Sequence, residues 1–390
     1  MRNTGILYSS TERKPVVLPE LAELLPPLSG EQMVALETDL LRNGCYSPII
    51  VNEDLAIVDG HNRQRLCEEH SLPYQMAVFA FEDLLEAKQW ALDTQKGRRN
   101  LDKWELGKIA LKLRPEIEAR AKANQGARTD LSATLPESSV PVDTRKELAD
   151  SVGLGERTMG KVMQIDEHAP AAVKEALDKK ELSINQGYNL TRQLQGMLLG
   201  AVIIVVLGIF DDIYALRASF KFVVQIIAAL VAVLYGGNVI SVLSNPNIFS
   251  SNPWWVLGPL SIPVTVLWIV AITNAVNLID GLDGLAVGVS TISSMTLLVI
   301  ALTVADWEVA VLMGALAGAC IGFMPYNLNP AKIFMGDTGS TFLGFVLAVV
   351  SIQGLFKFYT IISFAVPFLM LGLPIFDTAF AFIRRIAHGQ

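Results

Sequence analysis

The stretch NAVNLIDGLDGLAVG, Asn274 through Gly288, decides how the second half of this chain is read. It carries two carboxylates, Asp280 and Asp283, among glycines and asparagines, yet apolar runs at 257–275 and 286–304 flank it. Each run approaches the ~20 residues that a helix needs to cross the hydrocarbon core of a bilayer. Read as the turn between two spans, the stretch puts its acids at a membrane surface. Carboxylates beside a bilayer are costly, so their presence points to a functional site.

Working outward, similar apolar runs occupy 197–210, 222–235, 308–324, 339–356 and 361–380. The first is short and follows directly on the polar NLTRQLQ of 189–195. Charge divides the chain in the same place. Only six of the 31 Lys and Arg residues and eight of the 38 Asp and Glu residues follow Gly196. The expected fold class is therefore two-part: an N-terminal α+β region with further helices, then an α-helical polytopic membrane domain of about seven spans. The expected boundaries are 1–100, 101–195 and 197–390.

Counting alternate span ends, one side receives the segments 211–221, 274–285, 325–338 and 381–390, with Arg217, Lys221, Lys332, Arg384 and Arg385. The other side holds Lys357 and the interfacial pair Trp254 and Trp255. By the positive-inside rule the first side is cytoplasmic. It also receives Asp211, Asp212, Asp280, Asp283, Asp337 and Asp377, whereas Asp306 and Glu308 fall opposite. Six carboxylates on one face call for cations. Hard oxygen donors beside a phosphate-bearing substrate select magnesium. The other acids sit in GIFDDIYALRASFKFVVQ (208–225) and FMGDTGSTFLGF (334–345), again at helix ends, where free N–H or carbonyl groups are at hand.

These motifs carry a resemblance. Residues 198–388 resemble the polyprenyl-phosphate N-acetylhexosamine-1-phosphate transferases of glycosyltransferase family 4, which include teichoic-acid initiators and the phospho-MurNAc-pentapeptide transferases. The matching stretches are Asp211-Asp212 with Lys221 and Gln225, Asn274 through Gly288, Gly336-Asp337 through Phe345, and Pro374 through Arg385. The resemblance implies that undecaprenyl phosphate attacks the β-phosphate of a UDP-sugar, releasing UMP and leaving a lipid-diphosphate-sugar. It implies Asp211, Asp212 and Lys221 as the catalytic set on the lipid phosphate. Asp280, Asp283 and Asn274 would line the substrate, and Asp337 and Asn277 would hold Mg2+. The bulky Phe342 favours a UDP-N-acetylhexosamine such as UDP-GlcNAc over UDP-MurNAc-pentapeptide. Family members carry further spans before the Asp-Asp pair and beyond the Arg-Arg pair, so the match corresponds to the middle of such an enzyme, shortened at both ends.

The first half reads differently. MRNTGILYSSTERK has no apolar run, so no signal peptide is expected and residues before the first span are expected in the cytoplasm. Cys45, Cys67 and Cys320 form no disulfide or zinc pattern, which suits a reducing compartment. Strand-like runs at 48–51, 56–58 and 74–79 mix with helical ones at 30–43 and 63–69. DGHNRQRLCEEH then places Gly60, His61, Arg63 and Arg65 at a strand-to-helix turn, a plausible anion site. Residues 96–128 carry ten basic and four acidic side chains, Arg98 and Arg99 among them. In TRKELADSVGLGERTMGKVMQI, Thr144 caps a helix, Gly153 makes a turn and a second helix presents Arg157 and Lys161, the spacing of a helix-turn-helix. Over 15–195 the order of elements resembles the ParB-like (ParB/sulfiredoxin) domain. That resemblance implies duplex DNA as a partner through Arg98, Arg99, Arg157 and Lys161, and CTP phosphates at Gly60, His61, Arg63 and Arg65; a homodimer is a further expectation. Three readings stay open: a plasma-membrane transferase with a cytoplasmic appendage, a membrane-tethered DNA-binding or partition-type protein, and an inactive gene fusion.

Overall fold

The computed structural model describes residues 1–96, 101–126, 143–244, 254–303 and 307–354, together with Arg384. The chain divides into two compact units, Met1–Tyr188 and Asn189–Gln390. The expected span at 361–380, and with it Asp377, lies outside the described residues, as do Arg98 and Arg99.

The first unit opens with β1 (Arg2–Ser9), α1 (Pro19–Ala22), α2 (Gly30–Asn43), β2 (Ile49–Val51), β3 (Ile57–Asp59), α3 (His61–Glu69) and β4 (Gln75–Ala80). The sheet order is β1-β4-β2-β3, with β2 and β4 parallel and the outer pairs antiparallel. Three of these strands fall within two residues of the apolar runs that announce them. β1 was not expected: its side chains are mostly exposed, so no alternating pattern marks it. α2 begins where Ser29 and Gln32 form a reciprocal capping box.

A helical block follows: α4 (Leu84–Lys96), α5 (Lys103–Lys112), α6 (Arg114–Gly126), α7 (Thr144–Val152), α8 (Glu156–His168) and α9 (Ala171–Asp178). Leu148, Ala149, Val152, Met159, Val162 and Ile165 share one buried core with Trp104, Ile109 and Leu113. Gly153 turns between α7 and α8 at φ 71°, a left-handed conformation that suits glycine. The helix-turn-helix spacing is present, but its cap is corrected. Asp143, not Thr144, accepts the Arg145 and Lys146 amides.

The helix α10 (Ile184–Tyr214) runs 31 residues, so the first apolar run is not a short span. Its amphipathic NLTRQLQ segment is helical and continuous with the apolar part. Then come α11 (Ala218–Leu230, extended by a π-helical turn at Val231–Tyr235), a hairpin of β5 (Val242–Ser244) and β6 (Trp254–Val256), α12 (Ser261–Ile279), α13 (Leu285–Thr303), α14 (Trp307–Asn327) and α15 (Gly336–Gly354). Among the described residues five helices are long and apolar enough to cross a membrane, with mean hydropathy of 1.8–2.2. The sixth, α15, starts on polar GDTGST and is deeply packed: Phe345 and Leu347 through Val350 are fully buried. Val202, Phe222, Leu267, Ile292, Val299 and Val311 point outward from the other helices. An apolar exterior around an apolar interior is the pattern of helices solvated by lipid.

Small residues let these helices approach. A Cβ on Gly344 would meet the backbone of Thr273 at 2.8 Å, which brings α15 against α12. Arg192, near the start of the second unit, donates to the carbonyls of Leu234 and Tyr235 at the far end of α11. The other end of α10 carries Asp211 and Asp212, so α10 passes the bundle once from end to end.

A candidate active site at one end of the helical bundle

Three motifs, the first and last more than 100 residues apart in sequence, meet at the Asp211 end of the bundle. Asp211 closes α10 and is buried. One of its oxygens accepts the Leu216 amide at 2.8 Å, and the other accepts the Lys221 ammonium at 2.6 Å. Lys221, in the first turn of α11, also donates to Asp337 Oδ2 at 3.2 Å. Asp337 Oδ1 receives Asn277 Nδ2 at 2.8 Å, and the same Asn277 nitrogen reaches Ser340 Oγ at 2.9 Å. One cation thus holds two carboxylates together, and an amide steadies the second.

The α12 residues fall on one face because three-residue spacing nearly completes a helical turn. Asn274 lies deepest: its Nδ2 donates to Gln225 Oε1 at 2.6 Å and to the Val270 carbonyl, tying α12 to α11. Asn277 comes next, at Asp337. Asp280 ends the helix, and its carboxyl is pushed up to about 6, first by burial and then by the charge of Asp337. Asp280 is therefore a carboxyl whose ionised form is disfavoured by burial and by a neighbouring negative charge.

Asp212 and Asp283 are used differently. Asp212 Oδ1 accepts the Asp337 amide at 2.8 Å, while Oδ2 accepts the Thr338 amide at 3.2 Å and the Thr338 hydroxyl at 2.6 Å. Asp283 Oδ2 accepts the Ala331 amide at 2.9 Å. Beside it, Asn327 accepts the Gly284 amide and donates to the Ile333 carbonyl, so the DGLDG turn and the loop before α15 are cross-tied. Thr338, Ser340 and Asn327 were not anticipated from sequence. Gly208 is another: a Cβ there would meet Thr338 Cα and would lie 2.9 Å from the Thr338 nitrogen. It stands one helical turn before Asp212, the only hint the sequence gives of its task.

Among the described residues no three His, Cys, Asp or Glu side chains converge as a preformed metal site. The donor set still suits magnesium, which is commonly held by one or two carboxylates plus substrate phosphates and retains several waters.

In the first unit, Gly60 takes a left-handed φ of 105° before α3, and the turn borders a cavity of about 580 Å³. Arg63 is committed to the Ser47 carbonyl at 2.9 Å, the Pro48 carbonyl and Asp59, and the exposed Arg65 contacts the Met33 sulfur. His61 Nε2 is buried without a partner, and burial holds the imidazole below its ordinary pKa. This turn therefore offers a neutral imidazole more readily than free cations. On α8, Arg157 is exposed, whereas Lys161 donates to Asn185 at 2.5 Å and lies over the Tyr188 ring.

Residues 194–355 match the model of glycosyl transferase family 4. A probable undecaprenyl-phosphate N-acetylglucosaminyl 1-phosphate transferase of Bacillus subtilis (strain 168) is 46% identical over 207 residues, 52% of this chain and 55% of that one. A decaprenyl-phosphate N-acetylglucosaminephosphotransferase of Mycobacterium leprae is 33% identical over 228 residues, covering 53% and 56%. A phospho-N-acetylmuramoyl-pentapeptide-transferase of Heliobacterium modesticaldum is 39% identical over 173 residues, covering 42% and 53%. The chain thus spans about half the length of these curated relatives. Among solved structures, a Pnob8-like ParB-N domain matches with a TM-score of 0.37 at 17% identity, covering 58% of this chain and 92% of that one. It is the C-terminal half, with its converged Asp211, Lys221, Asn277 and Asp337, that matches glycosyl transferase family 4.

Proposed function

We propose that the second unit carries the site of a membrane polyprenyl-phosphate N-acetylhexosamine-1-phosphate transferase, with undecaprenyl phosphate as acceptor and UDP-GlcNAc as the preferred donor. The observation that carries this reading is the Lys221 ammonium shared between Asp211 and Asp337 at one end of the bundle. Phosphoryl transfer asks a protein mainly to position groups and to stabilise charge. Lys221 would turn from its carboxylates to the acceptor phosphate, whose entry Asp211 would orient. Asn277 fixes Asp337 in place. Asp337 and Asn277 would hold magnesium, which neutralises charge on a diphosphate when bound. Asp280, at the rim of this group, would face the nucleotide side. UMP release by membranes containing the full chain, measured with acceptor or metal omitted in turn, tests the reading. Release that ignores both omissions, or no release beside an active relative, counts against it.

Sidedness follows from α10. With Asp211 in the cytoplasm, a single crossing by α10 carries Arg192 to the opposite face. A cytoplasmic location for the residues before the crossing and a cytoplasmic carboxylate end therefore exclude one another as long as α10 spans. Cysteine-accessibility labelling at Ser183 and at Leu282 in intact cells reads the two ends separately. Labelling of only one of them supports a spanning α10; equal labelling of both contradicts it.

A second reading concerns the first unit alone. The Gly153 turn between α7 and α8, with Arg157 exposed, favours a DNA-binding helix-turn-helix. Binding of the full chain to duplex DNA would then weaken steeply between 50 and 200 mM salt; binding indifferent to salt would oppose it.

A further inference from the structure

Asp212 neighbours the buried Asp211 in sequence, yet its bonds lead elsewhere. Among the described residues, the three hydrogen bonds that its oxygens accept come from Asp337 and Thr338, the second and third residues of α15. Free amides at the second and third helical positions are those that a side-chain cap normally satisfies, and a carboxylate there also complements the helix dipole. The preceding Met335 has no side-chain oxygen to offer, and Asp212 supplies the cap from 125 residues away. Two glycines make room for it. A Cβ on Gly336 would lie 3.0 Å from Asp212 Oδ2, and one on Gly208 would strike the Thr338 backbone. The same short segment then presents Asp337 to Lys221 and Asn277.

We infer that Asp212 is a positioning residue: it caps α15 from the end of α10 and so holds Asp337 at the angle at which it meets its partners. The two halves of the Asp-Asp pair thus divide the work. Asp211 bonds Lys221 inside the cluster, whereas Asp212 fastens the helix that brings Asp337 to it. This inference deepens the proposed transferase reading, since its catalytic consequence depends on that reading.

The test compares Asp212→Ala and Asp212→Asn in the full chain, reconstituted in lipid. Asparagine keeps one acceptor oxygen at the same reach and caps helices almost as well as aspartate, whereas alanine offers none. A positioning role predicts that the Asn variant keeps UMP release within about tenfold of the parent. The Ala variant loses more than a hundredfold, and its magnesium concentration for half-maximal rate rises. Hydrogen exchange at the Asp337 and Thr338 amides provides a readout independent of turnover: at least tenfold faster in Asp212→Ala, near the parent in Asp212→Asn. If Asn is as inactive as Ala while its amides stay protected, Asp212 acts on substrate and the inference is overturned. Unchanged exchange in Asp212→Ala overturns it as well. A parent chain that releases no UMP defeats the transferase reading alone, because the exchange measurements still decide the cap.

Discussion

Gly208→Ala is the sharpest structural perturbation that this arrangement offers. The added methyl would sit far inside van der Waals contact with Thr338 Cα, 2.9 Å from its nitrogen and 3.0 Å from its hydroxyl. Comfortable carbon contacts begin near ~3.5 Å, so α10 and α15 would have to part by roughly 1 Å. The obstacle is backbone, which cannot swing aside as a flexible side chain would. At that separation the Asp212 bonds to the Asp337 and Thr338 amides, now 2.8 and 3.2 Å, stretch past useful length. Overpacking costs about 1–3 kcal/mol, and weakened bonds to a charged acceptor add about 1.5 kcal/mol. A total near 3 kcal/mol corresponds to a melting temperature lowered by about 6–12 °C for a unit of this size. Gly318→Ala is the control: its Cβ meets nothing within 4 Å. Thermal unfolding in lipid, followed by intrinsic fluorescence, and UMP release are the assays. A Gly208→Ala protein as stable and as active as the Gly318→Ala control would refute the close approach of these two helices.

Other consequences follow from the same geometry. Lys221→Met strips the buried Asp211 of its ammonium partner while the Leu216 amide stays, at a cost of about 3 kcal/mol, and should lower UMP release at least about 100-fold through lost charge stabilisation. Asp283→Ala should raise the KM for the UDP-sugar more than it lowers kcat, because it frees the Ala331 amide and loosens the loop before α15; an equal loss in kcat alone would contradict this. His61 is held neutral by burial, so its folded pKa lies below the unfolded value near 6.5. As pH falls through 6.5 the unfolded state takes up the proton first, and native stability declines from there until the folded pKa is reached. Amide exchange around residues 59–63, corrected for intrinsic rates, should therefore quicken between pH 7 and 5.5 in the parent and not in His61→Gln.

Hydropathy and spacing made much of this molecule legible, for reasons that can be named. The apolar runs locate α11 through α14 because a helix between lipid and an apolar core must be apolar on every side, and α15 because it is packed inside the bundle. Gly153 marks its turn because few other residues tolerate that dihedral. Asp280 stood out because carboxylates beside apolar spans are costly, whereas Asn277 entered only through the family resemblance. What escaped depended on partners distant in the chain. Nothing local to Asp212 reveals that its acceptors face Thr338, 126 residues later. Arg63 looked like an anion ligand, yet carbonyls 15 and 16 residues earlier absorb it. β1 escaped because an exposed edge strand has no buried face to impose alternation. The length of α10 escaped because hydropathy ends at the apolar boundary, whereas helical hydrogen bonding runs through NLTRQLQ.

The central claim, that the Asp211, Lys221, Asn277 and Asp337 cluster transfers a sugar phosphate to a polyprenyl phosphate, is met most directly by identifying the product. Full-length chain in lipid, given undecaprenyl phosphate, UDP-GlcNAc and magnesium, should yield undecaprenyl-diphosphate-GlcNAc by mass spectrometry, and Asp337→Asn should yield none. Absence of that lipid with the parent chain, or its undiminished formation by Asp337→Asn, would contradict the account.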